Sequence, residues 1–388
     1  MNNAQNPPFA LVEKDPDLDV LLAYIDAHLN DFIEDLIQIC EVPAPTFLEE
    51  KRGRVFASFF GEMANPEFDQ VGNVIIPISR KGPPHIVLSA HLDTVFPFHE
   101  IVVKREGTLL RAPGISDDSA GLACLLLLWR ALRHAGYLNK GSITLLATVG
   151  EEGLGNLRGS RNFFENHSEP VDYFISLDGC DALRIVSVGL ASKRLRIFLR
   201  GPGGHSWGDA GMANPIHLAG EFLARVNRLM LPSNPKTTLN IGIISGGTSI
   251  NTIPTEMSME IDLRSESMQA LHWLDQWVNT TLQECISTNP VIEAEVTTVG
   301  ERPAGRIADD HPLLQKALDA SRRFGLEANP ETGSTDSNIP FSLGIAAITT
   351  GVGGTSGKIH TPDEWYDTRG AETGIKRTAL LVTELLNL

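Results

Sequence analysis

Three apolar runs, each ending at a side chain that can bind a metal, constrain this chain more than any other feature. Ile86-Val87-Leu88-Ser89-Ala90 runs into His91-Leu92-Asp93, Ile143 to Val149 into Gly150-Glu151-Glu152, and Tyr173 to Leu177 into Asp178. Short runs this apolar read as strands buried on both faces, as the strands of a parallel sheet are. Ser119 to Tyr137 lies between the first two and reads as a mostly apolar helix packed on that sheet. The alternation implies an α/β fold. The same pattern resumes late in the chain, with a helix from His311 to Phe324, a strand over Ile345–Thr349 and a helix from Ala371 to Leu386.

Upstream, residues 1–16 read as a polar lead-in. A helix is expected from Asp17 with Leu22, Ile25, Leu29, Phe32, Leu36 and Ile39 on one face. A second helix is expected from Thr46, with Glu49 closing a capping box. Between residues 190 and 300 the texture changes. Arg194 to Leu199 alternates polar and apolar, as a one-sided antiparallel strand does. A helix over Asn214–Leu229, strands at Leu239–Ile244 and Glu256–Leu263, a helix over Met268–Ile286 and a strand at Ile292–Thr298 complete a split βαβ order. At 388 residues the chain is long enough for two cores. The expected division is therefore 1–189 and 301–388 for one domain and 190–300 for an α+β, ferredoxin-like domain inserted into it.

A His-x-Asp pair taken alone is an ordinary surface feature. So are the adjacent acids Asp117-Asp118 before a helix, and Glu151-Glu152 on a loop. Their shared position gives them meaning. His91, Asp93, Asp117, Glu151, Glu152 and Asp178 gather around the C-terminal ends of the expected strands, the edge where open α/β sheets build their sites. Residues i and i+2 of an extended chain point the same way, so His91 and Asp93 leave their strand together. Five carboxylates on one edge repel each other unless cations neutralise them. Histidine with carboxylate suits Zn²⁺, Mn²⁺ or Co²⁺ better than Ca²⁺, and the surplus of acids implies two ions, ~3.5–4 Å apart and bridged by an aspartate.

Charge narrows the partners. With 32 basic and 48 acidic residues the formal net charge is −16, which argues against nucleic acid and anionic membranes. The longest apolar run, Leu122 to Trp129, is too short to span a bilayer. The start of the sequence shows no secretory pattern, and the four cysteines have no metal-like spacing. A cytoplasmic location is expected.

The set His91-x-Asp93, Asp117, Glu151-Glu152, Asp178 and His360 resembles the M20 family of co-catalytic metallopeptidases and deacylases. Its members include glutamate-releasing carboxypeptidases, acetylornithine deacetylase, succinyl-diaminopimelate desuccinylase and peptidase T-like tripeptidases. The resemblance covers nearly the whole chain after about residue 20. It implies a mostly parallel-sheet catalytic domain, with the inserted α+β domain serving as lid and dimerisation unit. It also implies that His91 and Asp178 hold one metal, Glu152 and His360 the other, and Asp117 both. Asp93 orients His91, and Glu151 is the general base acting on water at the metal pair. The Asp117–Asp118 peptide should be cis. In the inserted domain, His205 matches a lid histidine that in dimeric members reaches the partner's site. Asn251 and Arg264 match lid segments that grip a substrate carboxylate, and Gly354 matches a substrate-side loop. The implied enzyme is a homodimeric hydrolase carrying two divalent ions, Zn²⁺ with Co²⁺ or Mn²⁺ as alternatives. It would cleave an amide bond in a small peptide or N-acyl amino acid that bears a free carboxylate, as an exopeptidase or, alternatively, as an N-acyl amino acid deacylase. A non-catalytic metal-dependent binding protein is the reading from another class, and Glu151 argues against it. Two positions depart from the family pattern: Ser119 stands where many members have lysine, and Ala112-Pro113-Gly114 replaces the common Gly-Arg-Gly.

Overall fold

The computed structural model describes residues 15–388; the expected lead-in lies almost wholly outside them. Four parallel strands form the heart of the large sheet, in the order Ser142–Thr148, His85–His91, Tyr173–Leu177, Ala346–Thr350. Antiparallel strands extend it on both sides. Val74–Ser79 joins Ser142–Thr148, and Arg184–Gly189 joins Ala346–Thr350. Every residue of His85–His91 and of Ser142–Thr148 is buried, as the apolar runs require. The helix Ser119–His134 packs on His85–His91 and is itself covered by Leu29–Cys40, Pro16–Ala27 and Ala371–Leu386. That covering explains why it is apolar on nearly all sides.

The second unit has the expected strand-helix-strand-strand-helix-strand order. Its four antiparallel strands lie in the order Thr237–Gly246, Glu256–Ser265, Ala191–Arg200, Glu293–Arg302. Met257, Met259, Ile261 and Leu263 alternate with more exposed neighbours and face the helices Pro215–Val226 and Met268–Ser287. Most buried apolar side chains of the described residues fall into two clusters, and the buried members of the second come only from residues 191–292. The chain is thus an α/β fold carrying an inserted α+β unit.

Two expected helices differ. The first is two helices, Pro16–Ala27 and Leu29–Cys40. At His28 the ring stacks on Tyr24 and its Nδ1–H donates to the Tyr24 carbonyl (2.8 Å), so the backbone leaves helical geometry there. The capping box at Thr46 does not form, and the helix begins at Glu50. The Thr46 hydroxyl donates instead to Asp93 Oδ2 (2.9 Å), and Arg158 forks onto the Glu49 carboxylate (2.9 and 2.8 Å). The sequence reading also missed the strand Arg184–Gly189, its parallel neighbour Asn329–Gly333, and a small antiparallel sheet of Lys104–Glu106, Leu109–Arg111, Thr355–Gly357 and Trp365–Asp367.

Candidate metal centre

The parallel register sets the end of each strand. His91 stands opposite Thr148, and Leu92 N–H donates to the Thr148 carbonyl (2.7 Å). The neighbouring chain then turns at Gly150, where φ is +67°, and presents Glu151 and Glu152. Asp178 follows the last residue of Tyr173–Leu177, its N–H bonded to the Thr350 carbonyl (3.1 Å). Asp117 precedes the helix at Ser119, and the Asp117–Asp118 peptide is cis. His360 arrives from a loop near the other end of the chain, at φ +62°.

Asp117 sits between the two histidines. His91 Nε2–H donates to its Oδ1 (2.9 Å) and His360 Nε2–H to its Oδ2 (3.0 Å). His360 also reaches Glu152 Oε1 (2.8 Å). Ligand atoms of His91, Asp117 and Asp178 lie within 4.8 Å of one another, and so do those of Asp117, Glu152 and His360. Asp117 belongs to both groups. Each combines one imidazole nitrogen with two carboxylates, a donor set suited to a borderline divalent ion. Without cations the acids are held in an unfavourable setting. Burial and the nearby Asp117 charge raise the Asp178 pKa, and burial raises Glu151 well above the carboxylate range against the opposing pull of Arg302. Burial also opposes ionisation of Asp117, but its hydrogen bonds from His360 and His91 prevail and lower its pKa. Hydrogen bonds to Asp117 and Glu152 push His360 up to about 10. The residues fit a pair of divalent ions.

The role expected of Asp93 is modified. His91 Nδ1–H meets the Asp93 backbone carbonyl at 2.9 Å, whereas the carboxylate is 3.7 Å away. That carboxylate is fully buried and turned to other donors: Glu151 N–H (2.9 Å), Glu152 N–H (3.0 Å) and the Thr46 hydroxyl. Asp93 therefore orients the ring mainly through its main chain, and its side chain holds the double-glutamate turn.

The centre opens onto a cavity of about 490 Å³. Asp117, Glu151, Glu152, Asp178 and His360 line it together with Arg184, Arg194, Arg264 and Arg302. Arg264 lines the cavity as expected but also donates to Asp262 (2.7 Å), which Arg194 approaches at 3.4 Å. His205, Asn251 and Gly354 are not among the lining residues. His205 is exposed on the short strand Gly204–His205, its Nδ1 accepting from Trp207 and Gly208 N–H, with Asn251 close by. Gly354, at φ +79°, is pressed against the Asp367 carbonyl, where a Cβ would come within 2.6 Å.

Three further residues hold the cluster in place: Arg302 and Glu364, which the sequence reading did not single out, and Asp118, named there only as one of two adjacent acids before a helix. Arg302 donates from Nη1 to Glu151 Oε1 (3.1 Å) and Ser334 Oγ (3.0 Å), and from Nη2 to the Glu151 carbonyl. Glu364 is fully buried and accepts from Gly114 N–H, Ser116 N–H and Oγ–H, and Asp117 N–H at 2.6–3.1 Å. Asp118 accepts from His91 N–H (2.9 Å) and caps the following helix through Gly121 N–H (3.1 Å). The adjacent acids at 117–118 and the position of Glu364 four residues after His360 were the available signals. Arg302 had none, since the strand expected over Ile292–Thr298 stops short of it, whereas the observed strand runs Glu293–Arg302.

Residues 87–384 match the family described as peptidase family M20/M25/M40. The chain belongs to the M20 peptidase family. It is thus an M20 hydrolase by descent. Carboxypeptidase G2 from a Pseudomonas species is 25% identical over 241 residues, which cover 59% of this chain and 55% of that one. The succinyl-diaminopimelate desuccinylase of Pseudoalteromonas translucida is 26% identical over 316 residues, 75% of this chain and 81% of that one. A tripeptidase of Staphylococcus aureus has the same fold, with a TM-score of 0.78 at 20% identity, covering 92% of this M20 chain and 99% of that one. Among the described residues no helix is long and apolar enough to cross a membrane.

Proposed function

We propose that this M20 protein is a dinuclear metal-dependent hydrolase that cleaves an amide bond in a small substrate bearing a free carboxylate, most favourably as an exopeptidase. The lining of the cavity carries this reading: the ligand cluster shares it with four arginines, of which Arg194 and Arg264 approach Asp262 and Arg302 is bonded to Glu151. A guanidinium forks onto a carboxylate with two parallel bonds, so Arg184, Arg194 and Arg264 suit an anionic end while the amide lies over the cluster.

His91 and Asp178 would hold one ion, Glu152 and His360 the other, and Asp117 both. Such a pair polarises a carbonyl and makes water acidic. Glu151 would take the water's proton and return it to the leaving amine. Arg302 keeps Glu151 at the cavity wall, the Asp93 carbonyl sets the His91 ring, and Glu364 fixes the turn that carries Asp117. Zn²⁺ is the first candidate, with Co²⁺ and Mn²⁺ behind it. Residues 190–300 would act as lid and dimerisation unit, with His205 and Asn251, both off this chain's own cavity, serving a partner's site. Four free, buried cysteines suit a reducing cytoplasm.

Deacylation of an N-acyl amino acid uses the same groups and is the alternative, supported by the desuccinylase relative. Matched di- and tripeptides, their C-terminal amides, and N-acetyl and N-succinyl amino acids should be compared on the metal-loaded protein. The exopeptidase reading predicts turnover of peptides, lost when the terminal carboxylate is amidated. Faster turnover of N-acyl amino acids would transfer the assignment to deacylation.

A further inference from the structure

His85 opens the strand that His91 closes, so with six steps of ~3.3 Å its backbone lies about 20 Å from the centre just described. Its ring is buried and fixed at both nitrogens. Pro170 offers only a carbonyl, so Nδ1 carries the proton and donates to it (3.0 Å). Nε2 meets the Thr144 hydroxyl (2.9 Å). An imidazole that gives one N–H to a main-chain carbonyl and turns its other nitrogen inward is arranged as a metal-binding histidine is.

His167 lies beside it, with ring centroids 5.5 Å apart. It ends the helix Arg158–Asn166 and stacks on Phe163 at 4.5 Å and 20°. Its Nε2 is buried and has no hydrogen-bond partner. A buried imidazole nitrogen left alone loses its hydration without replacement. Glu169 follows two residues later and is exposed. One ring nitrogen from each histidine and one Glu169 oxygen lie within 4.8 Å of one another.

We infer that His85, His167 and Glu169 form a further divalent-metal site, separate from the catalytic centre and selective for a borderline ion such as Zn²⁺. Two imidazoles and one carboxylate are a Zn²⁺ donor set, and the exposed glutamate side leaves a path for the ion. Binding would require the Thr144 hydroxyl to turn away from His85. It would tie the loop after the helix Arg158–Asn166 to the start of the strand.

Equilibrium dialysis of the full chain against Zn²⁺, followed by metal analysis, tests this. His167→Ala should hold one ion fewer per chain than the natural sequence, whatever the catalytic centre holds. Glu169→Gln, at an exposed position that leaves packing alone, should weaken that ion's binding at least about 10-fold, the loss that even an outer-shell partner produces. Circular dichroism checks that each variant is folded, and if His167→Ala is not, Glu169→Gln decides alone. Equal zinc content and affinity in the folded variants and the natural sequence would overturn the inference.

Discussion

Arg302 holds Glu151 twice, at the side chain through Oε1 and at the main chain through its carbonyl. The two residues come from different sheets, Arg302 ending the strand Glu293–Arg302 of the inserted unit and Glu151 following the strand Ser142–Thr148. Both are buried, with side chains 7% and 8% exposed, so the pair is shielded from screening. If Glu151 is the base, Arg302 is its positioning residue. Arg302→Ala should lower kcat by about 100-fold, the cost of misplacing a reacting group by an ångström. Metal content should stay unchanged. Arg302→Lys, which keeps the charge but not the fork, should fall between. A raised KM with unchanged kcat would instead make Arg302 a substrate-binding group.

Glu151→Gln keeps the shape of the side chain and removes its basicity. Turnover should drop by about 10²–10⁴-fold, the range of general acid–base catalysis, with bound metal unchanged. Steady-state kinetics beside metal analysis reads both quantities, and undiminished turnover would remove the base assignment.

Asp117 lies in both ligand groups, while His91 lies on one side only of the pair assigned here. Asp117→Ala should therefore lower the metal content by two ions per chain and His91→Ala by one. Equal losses in the two variants would contradict the bridge.

The histidines make metal uptake dependent on pH. In the metal-free fold His360 is pushed up to about 10 by its hydrogen bonds to Asp117 and Glu152. Burial opposes protonation of His91, but its bond to Asp117 and the nearby Asp93 carboxylate raise its pKa well above the usual value. His360 is thus protonated at about pH 7.5, and a metal must displace that proton. Calorimetry in buffers of different ionisation enthalpy should show protons released as the ions bind, and affinity should fall as pH is lowered. Without metal the sign for stability is the reverse. The His360 contribution is fully present below about 6.5 and lost as pH rises through about 10. A metal-free melting temperature that rises across that window would contradict it.

Much of this arrangement was legible in the residues. The apolar runs before His91, Glu151 and Asp178 end abruptly, and a parallel sheet places such ends on one edge. The alternation in Arg194–Leu199 likewise described the one-sided inserted sheet. What escaped depends on partners distant in sequence. Asn329–Gly333 contains Pro330 and no apolar pattern, and it is a strand because Arg184–Gly189 pairs with it. Pro is tolerated at such an outer position, where its missing N–H costs no ladder bond. The strands around Leu110 and Tyr366 are three residues long, too short for periodicity to register. Thr46 looked like a helix cap because local pattern could not show that Asp93 takes its hydroxyl. Arg302 and Glu364 act on residues 151 and 247 positions away.

The central claim is that the Asp117-centred cluster works as a metal-dependent amide hydrolase. Its most direct test is the rate of peptide hydrolysis by the purified full chain before chelation, after removal of metal, and after refilling with Zn²⁺, Co²⁺ or Mn²⁺. The account predicts cleavage that disappears with the metal and returns when an ion is restored, with Glu151→Gln inactive throughout. Hydrolysis that persists in the metal-free protein at the same rate would contradict it.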